Sequence, residues 1–204
     1  KRGDDAELIG ECSDIDDVIV FRKDGVMMVS KVDDKKFMGK NILHAAVWTK
    51  GDERTVYHMI YLEAKSKRNY VKRFAVTGVT RDKEYNLASE APGSKVVYFK
   101  AHPNSESEVV TVTLSPASKA RTKVFDFDFA DLAIKGRGSK GNVLTKYAIR
   151  KVDQKEIGES TLGGVDIWID MTVGRLNKEE RGNYLGEFDT GDLILVLKKD
   201  GSYE

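Results

Sequence analysis

The chain has 204 residues, 40% hydrophobic and 33% charged, with a net charge of +1, enough apolar content for a sizeable core and too much for a disordered chain. No apolar run approaches the roughly 20 residues of a membrane helix, and Lys1-Arg2-Gly3-Asp4-Asp5 lacks the apolar stretch of a secretory signal. One cysteine, Cys12, excludes an internal disulfide and suits a reducing cytoplasm, where a soluble chain of this kind is expected. Free cysteine usually behaves as a small hydrophobe, so a buried place is expected for it.

The near-neutral total hides a segregation of charge. Residues 4–17 hold Asp4, Asp5, Glu7, Glu11, Asp14, Asp16 and Asp17 and no base. Residues 18–21 and 26–29 then flank Lys23-Asp24-Gly25, a tight hairpin, because Asp-Gly supplies the positive φ that such turns demand. Residues 33–48 hold the only helical spacing in the chain, Phe37, Asn41 and His44, too weak to predict a helix. Residues 56–62 and 70–76 form a second strand pair around the polar insertion 63–69. From 65 to 83 stand Lys65, Lys67, Arg68, Lys72, Arg73, Arg81 and Lys83 against Asp82 alone, so a basic face is compatible with a neutral total.

Residues 109–114 and 124–129 make a third pair, with Phe125, Phe127 and Phe129 on one face and Asp126 and Asp128 on the other. A glycine-rich stretch, 135–141, precedes the β-branched run 142–149. Residues 167–173 and 184–188 pair next, and 193–197 begins again. Pro92, Pro103 and Pro116 sit among loop formers without making a linker, so a single all-β domain over 1–204 is expected, its function carried on loops at one rim.

The last strand restarts something already met. Ile9-Gly10-Glu11-Cys12 through Lys23-Asp24-Gly25 recurs without a gap as Leu185-Gly186-Glu187-Phe188 through Lys199-Asp200-Gly201, an offset of 176 positions from Gly10 to Gly186. That offset fits three or four units of about 45 to 60 residues, in the range of propeller-type blades. The second copy stops almost at the chain end, so the expectation is an unfinished unit and a piece of a longer repetitive protein.

Gly136, Gly138 and Gly141 satisfy the Gly-x-Gly-x-x-Gly pattern of dinucleotide sites. That chemistry needs a helix N-terminus after the glycines to hold a pyrophosphate, and 142–149 is strand-like. Two readings remain: a loop whose missing side chains allow close backbone approach while Arg137 and Lys140 reach towards phosphates, or a plain solvated turn. In Tyr70-Val71-Lys72-Arg73-Phe74 one cation faces in and the next out, so one snorkels to the rim; a charged, solvated edge strand is the alternative. His44, His58 and His102 have no metal-ligand spacing, and His58 is expected as a packed residue. Neither Asp14, Asp16 and Asp17 nor Asp126, Asp128 and Asp131 has the glycine and distal glutamate of a calcium loop. No nucleophile elbow is present. Neither a metal, a cofactor nor a catalytic residue is therefore expected.

The 18–28 hairpin, the Tyr70-to-Arg73 strand and the 135–141 loop together resemble the C-terminal domain of the A subunit of bacterial type IIA topoisomerases, DNA gyrase and topoisomerase IV. The resemblance spans essentially the whole chain. It implies a β-pinwheel, a propeller-like array of four-stranded blades, here about four and open, whose basic rim binds and bends duplex DNA without reading sequence. In gyrase the loop is Gln-Arg-Arg-Gly-Gly-Lys-Gly. Here Lys135 stands for the Gln, Gly136 for the first Arg and Ser139 for the second Gly, while Arg137, Gly138, Lys140 and Gly141 are kept. Such a degenerate loop is more like topoisomerase IV. Partners implied are duplex DNA, the parent topoisomerase core and its ATPase subunit, with no membrane. Cutting and ATP hydrolysis would belong to other parts of that ATP-dependent isomerase. The residues expected to meet phosphates are Arg22, Lys23, Lys67, Arg68, Lys72, Arg73, Arg137, Lys140, Lys146, Lys198 and Lys199. A protein-interaction propeller with a merely solubilising rim is the other reading.

Overall fold

The computed structural model describes residues 8–189 and 192–203. They form fifteen strands and one 3-10 turn, an all-β chain in four sheets of mostly antiparallel pairs. No helix among them is long and apolar enough to cross a membrane. Two compact units divide the chain, Lys1–Gly158 and Glu159–Glu204.

The first sheet runs β3 (Ile42–Trp48), β1 (Asp17–Arg22), β2 (Val26–Lys31), β6 (Glu84–Asn86). The 33–48 stretch is thus no helix, and its second half is a strand. Trp48 explains why: its indole N–H donates to the Val76 carbonyl at 2.9 Å in a buried position, a bond only the extended chain reaches. The second sheet is built on β4 (Val56–Glu63), β5 (Arg68–Ala75) and β7 (Lys95–His102), and β10 (Lys135–Gly136) and β11 (Asn142–Thr145) both pair with β5. The third joins β12 (Ile149–Ser160), β8 (Glu106–Leu114) and β9 (Val124–Asp128). The fourth, in the second unit, joins β14 (Arg175–Asn177), β13 (Val165–Asp170) and β15 (Asn183–Phe188).

β4 is buried along six consecutive residues, as expected of a strand covered on both faces. Tyr57, Met59 and Tyr61 point into one core, with Ile19, Phe21 and Met27 of the first sheet. Ile60 and Val71 point into the other, with Val110, Val112, Leu114 and Phe129 of the third. Each such side chain contributes about 1.5–3 kcal/mol on leaving water. Phe125 and Phe127 pack with Phe129 on that second core, as their alternation predicts.

The repeat is geometric as well as sequential. Ser13 N–H donates to Asp16 Oδ2 at 2.7 Å, and Asp189 N–H to Asp192 Oδ2 at 2.7 Å, 176 positions on. Gly25 N–H donates to the Arg22 carbonyl and Gly201 N–H to the Lys198 carbonyl, both at 3.0 Å. The Phe21↔Met27 pairing of β1 and β2 returns as a bridge between Leu197 and Tyr203. Cys12 is exposed, against the expectation of burial: it precedes the Ser13–Asp16 turn and the strand that enters the core.

Candidate nucleic-acid interface

β1, β4 and β8 each run from an acidic end to a basic turn. Asp17 opens β1, Asp52 and Glu53 precede β4, and Glu106 opens β8. At the far ends stand the turn at Lys23, the turn after Glu63, with Lys65, Lys67 and Arg68, and the loop 115–123, with Lys119, Arg121 and Lys123.

Backbone bonds bring these turns to one rim of the first unit. The Lys23 carbonyl accepts the Val96 N–H at 2.9 Å, and neighbouring Lys95 pairs with Leu62 at the end of β4. The Ala64 N–H donates to Ser94 Oγ at 3.0 Å. On the other side Asn69, at the base of the β4–β5 turn, donates its Nδ2 to the Tyr147 carbonyl at 2.7 Å. Next to it Ser115, which opens the third loop, donates to the Ala148 carbonyl at 2.8 Å. Lys146 and Lys140 therefore join the same rim. Segments 64–68, 115–123 and 138–147 carry no acidic residue.

Not every expected cation is there. Lys72 and Arg73 are 2% and 3% exposed and cannot touch an external phosphate. β5 is neither an edge strand nor a snorkelling one, because β10 and β11 cover its outer side. Lys72 Nζ donates to the carbonyls of Leu87, Arg137 and Ser139 at 2.7, 2.9 and 3.0 Å. Arg22 is held by Asp24 at 3.1 Å and Glu84 at 2.5 Å, so its charge is locally cancelled. The Arg137 guanidinium donates to the Gly78 carbonyl at 2.5 Å and lies 4.4 Å from the Tyr85 ring centre, pinning the loop rather than reaching from it. Lys140 is exposed, 4.6 Å over Tyr70 and 3.2 Å from Glu63. Lys23, Lys67 and Arg68 are exposed on the rim. Lys198 and Lys199 are exposed in the repeated turn of the second unit.

Lys95, Lys119 and Arg121 are rim cations that sequence reading passed over. The signal was present: Ser115-Pro116-Ala117-Ser118-Lys119-Ala120-Arg121-Thr122-Lys123 has three bases and no acid. Lys123 shapes this loop, its ammonium donating to the carbonyls of Pro116 and Ser118.

At the acidic ends, between the second and third sheets, lies a buried polar cluster. His58 Nδ1 is 2.9 Å from Glu108 Oε1, and His102 Nε2 is 3.3 Å from the same oxygen without the geometry of a hydrogen bond. The three residues have the composition of a metal site. Arg73 argues against that use. Its Nε, always protonated, donates to His58 Nε2 at 3.0 Å, which leaves the His58 proton on Nδ1, aimed at Glu108. Tyr98 Oη and Gln154 Nε2 also donate to Glu108, each at 2.8 Å. Burial raises the Glu108 pKa, but these donors and the two imidazoles outweigh it and hold the carboxyl well below the usual range. Burial also lowers His58, to about 4, so the pair is a neutral imidazole and a carboxylate. The cluster is a satisfied strut rather than a reactive centre.

A family model described as Topoisomerase C-terminal domain, Bacteroidota, matches residues 2–156. The A chain of DNA topoisomerase 4 from Borreliella burgdorferi is 26% identical over 156 residues, which cover 74% of this chain and 22% of that protein. The chain thus spans well under half of that relative's length. Among solved structures, the crystal structure of the C-terminal domain of DNA topoisomerase IV aligns with a TM-score of 0.43 and 11% identity, over 70% of this chain and 47% of that one.

Proposed function

The chain belongs to the bacterial topoisomerase C-terminal domain family, and from that membership we propose that its basic rim binds and bends duplex DNA without reading sequence. The domain then serves as an accessory part of the A subunit of a type IIA topoisomerase, of the topoisomerase IV kind, and leaves strand cutting to the parent core and ATP hydrolysis to its partner subunit. The observation that supports this reading is the meeting of three hairpin loops from three successive sheets at one rim, with Lys65, Lys67, Arg68, Lys119, Arg121 and Lys146 displayed and no acid in those segments. Phosphate contacts of this kind position a duplex and carry no base information. Bending 20–30 base pairs costs on the order of 1–6 kcal/mol, which several contacts offset.

Fluorescence anisotropy with a labelled duplex of arbitrary sequence, read at several salt concentrations, tests it. Log K should fall by about 0.9 per log unit of salt for each phosphate neutralised. Lys67→Glu/Arg68→Glu and Lys119→Glu/Arg121→Glu should each weaken binding on all sequences alike. No binding at low salt would sink the reading and favour a protein partner for the rim. With the glycine loop pinned inward by Arg137, a nicked circle ligated in the presence of the domain should show little linking-number change.

A further inference from the structure

Three buried backbone carbonyls converge on one point beside β5: Leu87 from the connection after β6, and Arg137 and Ser139 from the glycine loop. Backbone oxygens without donors in a dry interior cost about 1–3 kcal/mol each. A lysine ammonium is the one side-chain group that offers three donors from a single tetrahedral centre. Lys72 supplies it, with its Nζ also 4.7 Å from the centre of the Phe74 ring. Burial lowers its pKa to about 8, so it stays mainly charged at neutral pH.

The loop is seated on β5 from both ends. Lys135 and Gly136 pair parallel with Phe74 and Ala75, and Asn142 and Val143 antiparallel with Val71 and Tyr70. Gly141 has φ +84°, and a Cβ there would overlap the Val71 carbonyl and press on Lys72 Cβ, so only glycine allows this approach. Tyr61 closes the seat, its hydroxyl donating to the Lys140 carbonyl at 2.8 Å. With the backbone held there, Lys140 stands over Tyr70 at the β4–β5 turn, and Lys146 follows Thr145, opposite Asn69.

We propose that Lys72 is a positioning residue for the basic rim: its buried ammonium clasps the glycine loop and the β6–β7 connection to β5, and so fixes Lys140 and Lys146 beside the Lys65–Arg68 turn. This rests on the DNA-binding reading, though the clasp itself can be observed without DNA.

The test is Lys72→Met, which keeps the stem and leaves every surface cation in place. Amide exchange at Ser139 and Gly141, measured without DNA, should rise at least tenfold, while the Val110 and Val112 amides stay protected. The salt slope of duplex binding should drop by about 0.9 for each phosphate that the rim no longer neutralises, as it does in Lys140→Ala/Lys146→Ala, and the triple variant should fall no further. An unchanged slope, or decreases that add in the triple variant, would overturn the proposal. If Lys72→Met does not fold, Gly141→Ala carries the same comparison, since it lifts the loop while keeping the ammonium. Wild-type protein that fails to bind DNA, together with Lys72→Met that loosens the loop, would refute the DNA reading and leave the clasp standing. A loop that exchanges no faster in Lys72→Met would refute the clasp whatever the DNA result.

Discussion

Residues 17–27 and 193–203 carry the same turn chemistry and meet opposite fates. Both Asp-Gly turns close with the same bond lengths, and φ is +82° at Gly25 and +85° at Gly201. Yet Ile19, Phe21 and Met27 are 0%, 1% and 0% exposed, and their counterparts Leu195, Leu197 and Tyr203 are 66%, 73% and 77% exposed. Only the first copy becomes a pair of strands; the second keeps a single bridge. A turn is written in four residues, whereas a strand is made by its neighbours. The first copy lies between β3 and β6 and packs on Tyr57, Met59 and Phe74, and the described part of the second has no such flanks.

The contrast can be broken or sharpened by paired substitutions followed by urea denaturation. Phe21→Ala should destabilise the first unit by about 3–5 kcal/mol, through lost burial and the cavity left behind. Leu197→Ala should change stability by less than about 0.5 kcal/mol, and equal effects would mean that the second copy is also packed. Acidification should discriminate next, since all three histidines lie in the first unit. Burial lowers His58 from 6.5 to about 4 and lowers His44 as well. The unfolded chain therefore binds protons that the folded one refuses. The stability they contribute is complete above pH 6.5 and is lost as pH falls towards 4, on the order of 3 kcal/mol for His58. Glu108, held low, keeps its contribution until more acid conditions. Amide exchange between pH 7 and pH 4 should thus accelerate in the first unit before the second.

Glycine offers a third pair. A Cβ on Gly25 would lie 2.5 Å from Ala88 Cβ, whereas one on Gly201 meets nothing within 4 Å. Gly25→Ala should cost about 2–4 kcal/mol, combining a positive φ with overpacking, and Gly201→Ala about 1 kcal/mol from φ alone. The smallest difference is expected at the turn carboxylates. Asp24 accepts from Val26 N–H and pairs with Arg22, and Asp24→Ala should cost about 1 kcal/mol. Asp200→Ala loses only the Ser202 bonds and should register in local amide exchange alone.

The hairpins were legible in the sequence wherever alternation met an Asp-Gly or polar turn, as at 18–29 and 56–76. β3 was not, because Phe37, Asn41 and His44 mimic a helical period across a loop and a strand, and the Trp48 bond that settles the matter spans 28 residues. The rim was half legible. Runs of base without acid marked Lys67 and Arg68, but the same criterion applied to 115–123 would also have marked Lys119 and Arg121. Lys72 and Arg73 misled because a strand's alternation tells which way a side chain points and not what covers it. β10 and β11, arriving some 60 residues later in the chain, turn an apparent edge into an interior.

That pair of cations has a bearing on fidelity during folding. β5 sends adjacent charges to opposite sides, Lys72 towards a triad of carbonyls and Arg73 towards an imidazole and the Ser105 carbonyl. Hydrophobic patterning alone checks β-pairing poorly here, since both sides of the sheet are greasy. A shift of one residue would point the ammonium at His58 and the guanidinium at the loop carbonyls, stranding charge in two places at once. Two buried cations, neither able to touch a ligand, thus act as a vernier that accepts one alignment of the central sheet and rejects its nearest neighbours.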